Sequence, residues 1–305
     1  MGIKSGLDIQ KIYNGSSEAV RVYSGSSLIY DKSVFGVTLA KDGSNNLVAN
    51  ADGGDFDFAV YDWRVNGVSI AKANVDLRSN VGKDYSTNAI TVTQQGTPTY
   101  SQTGGPDNNG FWNFPSSTNY FDVTGAGVQT GTLSIWGRRL TASAGYPILF
   151  GDYSAGASAC QFLTGPADYI NFRVYDGAAW QETVNTYNIG TTWHNFMCES
   201  GSVAGIKLFV NGSQLPTTNA YTTAAQLNTM QVGKYHTYVN SWEGDACMMV
   251  NYGRYLSGAQ KTFIANKEFH KIAAIETSVG ETWSVEVTPV KNGVDGTPVT
   301  ASLVV

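Results

Sequence analysis

The chain has 305 residues, 42% of them hydrophobic, which is enough for two ordinary packed domains and excludes a disordered chain. Glycine is frequent at 34 residues and charged residues make up only 14%, so short strands and tight turns are expected rather than helices. A net charge of -5, with no cluster of Lys and Arg, excludes a phosphate-backbone footprint, and no nucleic acid is expected as a partner.

No apolar run approaches the roughly 20 residues that span a bilayer, and Met1 to Leu7 lacks a signal-peptide core, so neither membrane insertion nor export is expected. Cys160, Cys198 and Cys247 are too scattered for a zinc ribbon, and their odd number rules out complete internal pairing. Buried free thiols in a reducing cytosol are the expectation.

Residues 1–33 contain a repeat at ten-residue spacing, Lys11-Ile12-Tyr13-Asn14-Gly15-Ser16-Ser17 against Arg21-Val22-Tyr23-Ser24-Gly25-Ser26-Ser27. Each copy predicts a strand and then a two-residue turn, with Asn14-Gly15 and Ser24-Gly25 supplying positive φ. The resulting β meander buries too little to stand alone and should dock on another surface or on copies of itself. The pattern resembles short N-terminal repeats of phage tail and other virion proteins. That resemblance implies an anchor to other virion proteins, with multiple copies or a homo-oligomer on the particle, and assembly into a virion in the host cytoplasm.

Residues 34–76 alternate as strands do. Within Tyr61-Asp62-Trp63-Arg64-Val65-Asn66-Gly67-Val68, the side chains of Tyr61, Trp63 and Val65 share one face and Asn66-Gly67 marks a type I′ turn. This hairpin resembles that of bacterial and phage immunoglobulin-like domains, in which the Trp fills the sandwich core. The ending such domains carry arrives only at the C-terminus, as Val279-Gly280-Glu281-Thr282-Trp283 through Pro289 and Gly296-Thr297-Pro298 through Val305. Residues 34–76 and 273–305 are therefore expected to form one discontinuous immunoglobulin-like sandwich, with Trp63 and Trp283 in a single core.

Residues 77–272 would be the insert. In order they contain Phe111-Trp112-Asn113-Phe114, Gly131-Thr132-Leu133-Ser134-Ile135-Trp136, Thr192-Trp193-His194, Leu208-Phe209-Val210-Asn211-Gly212 and Tyr252-Gly253-Arg254-Tyr255-Leu256-Ser257. Together these resemble the laminin-G and concanavalin A-like family, which implies an all-β jelly-roll sandwich with Trp136 and Trp193 in its core. After Ser257, the spacing of Phe263, Ile264, Phe269 and Ile272 predicts a short helix closing the insert.

The same fold carries glycoside hydrolases, whose retaining members need two carboxylates about 5 Å apart. Glu243 and Asp245 are a lone pair around Gly244, and Glu281 and Glu286 would face opposite sides of a strand, so no enzyme is expected. His194, His236 and His270 show no spacing of a zinc site or a catalytic triad. No cofactor is expected apart from calcium, which some relatives bind at the sandwich rim; Asp152 and Asp176, with Asp168, lie near predicted strand ends, where ordinary turn aspartates are the alternative. Tyr153, Tyr175, Trp180 and Tyr238 fall in polar, loop-like contexts and are the candidates for a sugar-stacking platform. Asn14 and Asn211 match glycosylation sequons but read as hairpin turns.

The resemblances imply a virion surface protein, anchored by its N-terminal repeat, whose jelly-roll rim contacts a host glycan or protein. A purely structural decoration, cement or tail protein without a host ligand is the alternative. A glycan-degrading enzyme is the third, least supported because the carboxylate pair is missing.

Overall fold

The protein's structure, a computed structural model, describes residues 7–14, 17–24, 27–32, 35–88, 90–129, 131–140, 147–152, 160–165, 169–201, 205–222, 225–234 and 242–305, with side chains from residue 35 onward except 126–129 and 225–227. Leu7–Asn14, Ser17–Ser24 and Ser27–Lys32 form a three-stranded antiparallel meander. Asn14 pairs with Ser17 and Ser24 with Ser27, so each copy of the repeat occupies a successive strand and the two-residue connections follow from the ten-residue spacing.

Two larger units follow, one threaded through the other. The larger is a jelly-roll sandwich. Its first sheet has the order Trp180–Thr186, Tyr169–Tyr175, Cys160–Gly165, Ile148–Asp152, Ala225–Val232, Tyr120–Gln129, Thr91–Gln95. The facing sheet is built on Gly244–Tyr252 and Gly131–Arg139, flanked by Phe111–Phe114 on one side and by His194–Ser200 and Lys207–Val210 on the other. Phe114, Phe121, Leu133, Ile135, Phe150, Phe162, Phe172 and Phe196 are all buried between the sheets. At about 1.5–3 kcal/mol for each fully buried large apolar side chain, this interior is the dominant stabilising term of the fold.

Strands Gly131–Arg139 and His194–Ser200 are buried on both faces rather than alternating. Over His194–Ser200 the helix Gly258–Ala265 covers the outside of this sheet, packing Ile264 with Met197, Phe209, Tyr252 and Leu256. Ser257 caps the helix, its hydroxyl accepting from the Gln260 N–H at 3.2 Å, and Lys261 pairs with the buried Glu199 beneath it. The short helix expected after Ser257 is thus present.

In the smaller sandwich, Thr282–Lys291 lies between Phe58–Val65 and Val299–Val304, in antiparallel register from Trp283 opposite Val65 to Val290 opposite Phe58. Gly36–Lys41, Leu47–Asp52 and Lys271–Ile272 make the second sheet. Leu47, Ala49, Ala59, Trp63, Ile272, Trp283, Val285 and Val287 form its core, with the Trp63 and Trp283 rings 6.4 Å apart and nearly edge to face. The jelly roll is inserted between these two ends of the chain. Asn66 and Gly67 both have positive φ, 51° and 82°, as a type I′ turn requires.

Two strands depart from the expected division at residues 77 and 272: Lys271–Ile272, expected in the insert, pairs with Leu47 and Val48 of the smaller sandwich, and a strand ahead of residue 77 joins the larger one. Ala71–Val75 hydrogen-bonds with Gly244–Tyr252, and Ala73 and Val75 are buried in the larger core, so the jelly-roll sheet recruits chain ahead of that position. Just beyond it, fully buried Arg78 joins the two units. Its guanidinium contacts Asp76 and Asp107 at 2.6 Å each, donates to the Ala59 carbonyl at 3.2 Å, and lies over the rings of Phe58 and Phe269.

Cys160, Cys198 and Cys247 are buried free thiols, each with its pKa raised by burial first of all. Among the described residues no helix is long and apolar enough to cross a membrane.

Candidate functional site

The strand Tyr169-Ile170-Asn171-Phe172-Arg173-Val174-Tyr175 alternates in sequence, although Asn171 is itself buried. Ile170, Phe172 and Val174 are buried in the jelly-roll core, so Tyr169, Asn171, Arg173 and Tyr175 occupy the opposite, outer face. Register carries that parity across the whole sheet. Thr93, Asp122, Gln231, Gly151, Gln161, Arg173 and Glu182 stand opposite one another in turn, a polar row over seven strands with a glycine at its middle.

Side-chain hydrogen bonds tie the row together at its two ends. The Asp122 carboxylate accepts from Gln95 Nε2 at 2.9 Å and Gln231 Nε2 at 3.0 Å. The buried Gln161 accepts through Oε1 from Arg173 Nε at 2.9 Å and Nη2 at 2.6 Å. Asn171 donates to Glu182 Oε2 at 2.7 Å and to the Tyr169 hydroxyl at 3.0 Å. Ile148 and Leu163 are buried beside Tyr169, which gives this end of the face an apolar floor.

The hairpin between Tyr169–Tyr175 and Trp180–Thr186 brings Tyr175 opposite Trp180, with ring centroids 5.3 Å apart. Arg173 lies over the Trp180 ring at 4.3 Å, so one face of the indole is already occupied by a cation. Asp176 shapes the turn between them: it accepts from the Ala178 N–H at 2.8 Å, the Ala179 N–H at 2.7 Å and Gln181 Nε2 at 3.0 Å. Those bonds, the Ala179 N–H foremost, hold its carboxyl below the usual range.

Of the expected platform, Tyr175 and Trp180 come together, half-buried at one end of the outer face, while Tyr153 and Tyr238 lie outside the described residues, as do Asp168 and His236. The expected calcium pair is not brought together. Asp152 stands opposite Cys160, which is opposite Val174, so by parity it is on the core side; it is fully buried and accepts from the Thr229 N–H at 2.9 Å. Asp176 is at the turn, both oxygens engaged by the hairpin itself. Among the described residues no group of three or more His, Cys, Asp and Glu side chains gathers as a metal site.

Trp63, Trp136 and Trp283 are buried, whereas Trp193 is only half-buried and sits at the margin of the larger core. Its indole N–H donates to the Gly104 carbonyl at 2.8 Å and Arg138 covers its ring, a polar tie that holds it at the edge rather than within. Asp245 is paired with Arg138 and accepts from Asn113 at 2.7 Å. His194 is buried against the Ile189 carbonyl at 2.9 Å and Asn211 at 3.1 Å, and desolvation lowers its pKa.

Arg173, Gln161, Asp122 and Gln231 were not among the expected site residues. The signal for Arg173 was the alternation around it; the others depend on which strands become neighbours.

No family model and no curated protein sequence matches the chain. Among solved structures it is similar to the receptor-binding domain of botulinum neurotoxin C/D mosaic serotype (TM-score 0.53, 12% identity, 65% of this chain and 51% of that one). It is also similar to the botulinum neurotoxin serotype D ligand-binding domain in complex with N-acetylneuraminic acid (0.54, 12%, 65% and 51%). A third is the binding domain of paraclostridial mosquitocidal protein 1 (0.53, 12%, 65% and 52%). The matched region spans about half the length of these structures, and identity this low establishes the shared β-sandwich fold.

Proposed function

We propose that this chain is an adhesive, non-enzymatic β-sandwich protein that binds a glycan on the outer face of its seven-stranded sheet, and that it is displayed on a bacteriophage particle. The observation that carries the binding reading is the cluster of Tyr175, Trp180, Arg173 and Gln161 at one end of a polar, hydrogen-bonded sheet face. Sugars are held by aromatic rings with amides and charged groups beside them, and that is the composition of this face. The fold is shared with domains described as receptor- or ligand-binding, one of them in complex with a sugar acid, which supports the same reading. The particle location rests on the N-terminal repeat and on the immunoglobulin-like hairpin.

The test is binding of the full chain to a glycan array, followed by calorimetry on the hits. Trp180→Ala is expected to weaken a hit by about 1 kcal/mol or somewhat more, close to tenfold, with melting nearly unchanged because the ring is only half-buried. A sharp fall in melting would make Trp180 a structural residue. A wild type that binds no glycan would favour the purely structural decoration protein. Deleting residues 1–33 is expected to leave melting unchanged and to abolish incorporation into particles, since a three-stranded meander of this length contributes little burial; normal occupancy of the deletion variant would place the anchor elsewhere.

A further inference from the structure

We infer that the sugar this face takes is an acidic one, held through its carboxylate by Arg173; this rests on the glycan-binding reading above. Arg173 stands directly opposite Glu182 on the neighbouring strand, a position where opposite charges ordinarily pair. Here they do not. Glu182 turns to Asn171 at 2.7 Å, and Arg173 turns the other way, across to Gln161 on the next strand. Arg64, Arg78, Arg138 and Arg254 each pair with a carboxylate, but among the described residues none lies within ion-pair distance of Arg173.

The geometry defines what is left to offer. Nε and Nη2 both donate to the single oxygen Oε1 of Gln161, which uses the side edge of the guanidinium. The end edge, with one N–H from each of Nη1 and Nη2, has no partner among the described residues. Those two parallel N–H groups match the two oxygens of a carboxylate. Gln161 is buried and Trp180 lies beneath the guanidinium at 4.3 Å, so the fork is pre-oriented before any ligand arrives. Tyr175 beside it supplies a ring for the body of the sugar.

The experiment measures binding of the full chain to two matched pairs of probes: oligogalacturonate and its methyl ester, and sialyllactose and lactose. At least one free acid is expected to bind roughly ten- to a hundredfold more tightly than its neutral partner, the span of a charged, bidentate hydrogen bond. Arg173→Gln should abolish that preference. Arg173→Lys, which keeps the charge but not the fork, should recover only part of it. Melting of both variants is read alongside, and Gln161→Leu, which removes the group that orients the fork, should cost acid binding in the same direction. Equal binding of acid and neutral probes by the wild type, or an acid preference that survives in Arg173→Gln, would overturn the carboxylate assignment and leave glycan binding standing. No binding of any probe, with none on the wider array, would overturn both.

Discussion

Arg78→Met is expected to destabilise the protein by about 3–5 kcal/mol, the cost of breaking a buried ion pair by removing one partner. The side chain is buried between the two sandwiches, its guanidinium shared by Asp76 and Asp107 and its ring contacts split between Phe58 and Phe269. Without it Asp76 and Asp107 remain, largely buried, without their counter-charge. Replacing all three at once, Arg78→Met with Asp76→Asn and Asp107→Asn, should recover much of the loss, since neutral groups of similar shape carry no uncompensated charge.

The pH dependence separates this mechanism from simple loss of volume. Burial, the largest influence, would raise the Asp107 carboxyl, but the Arg78 charge and the hydrogen bonds from Asn109 and Arg78 together hold the group below its ordinary value. A depressed folded pKa contributes stability that is present above the unfolded value of about 3.9 and is lost as pH falls through the folded one. In Arg78→Met the burial remains, opposed only by the Asn109 hydrogen bonds, so the folded pKa rises and mild acidification relieves the variant. Chemical denaturation at pH 7 and pH 5 should therefore show the gap between wild type and variant narrowing at the lower pH. An equal gap at both would mean the guanidinium matters for packing alone, and no gap would mean it is not the clamp between the units.

Trp63→Ala is expected to cost about 3–5 kcal/mol as well, concentrated in the smaller sandwich. It removes the ring that packs on Trp283 and the indole N–H that donates to the Phe269 carbonyl at 2.9 Å, leaving a cavity and an unpaired buried acceptor. Limited proteolysis should cut first within residues 35–65 and 282–305 while the jelly-roll core stays protected. Because the two indoles touch, Trp63→Ala and Trp283→Ala should be non-additive, the double variant losing less than the sum. Strict additivity would mean that the two ends of the chain do not share one core.

The elements most legible in the sequence are those whose cause is local. Asn66-Gly67 and Asn211-Gly212 adopt positive φ at both positions, because few residue pairs other than Asn-Gly tolerate it. The Ser257 cap and the helix after it follow from a hydroxyl at the right distance from an apolar run. Strand parity is legible for the same reason: the period of two in Tyr169–Tyr175 separates a core face from an outer one before any partner is known.

What the tertiary structure alone decided is which faces and partners meet. Parity does not say that Tyr120–Gln129 lies beside Ala225–Val232, yet that neighbourhood puts Asp122 next to Gln231 and continues the polar row to Arg173. Asp152 reads as a rim residue in the sequence and becomes a core-side group once its strand pairs with Cys160–Gly165. Trp193 stays at the margin because a carbonyl and a guanidinium hold it there, and Ala71–Val75 joins the larger sheet by pairing with Met249–Tyr252, beyond the reach of Phe111–Phe114 on the same strand. Most telling is Arg173, whose nearest opposite charge along the ladder is Glu182. Only the competition of Asn171, on the same strand, and Gln161, on the next, for those two side chains turns the guanidinium away from its own neighbour and onto Trp180. Local chemistry determines the menu of turns and faces; long-range register, which depends on the whole core closing at once, selects the contacts that make a site.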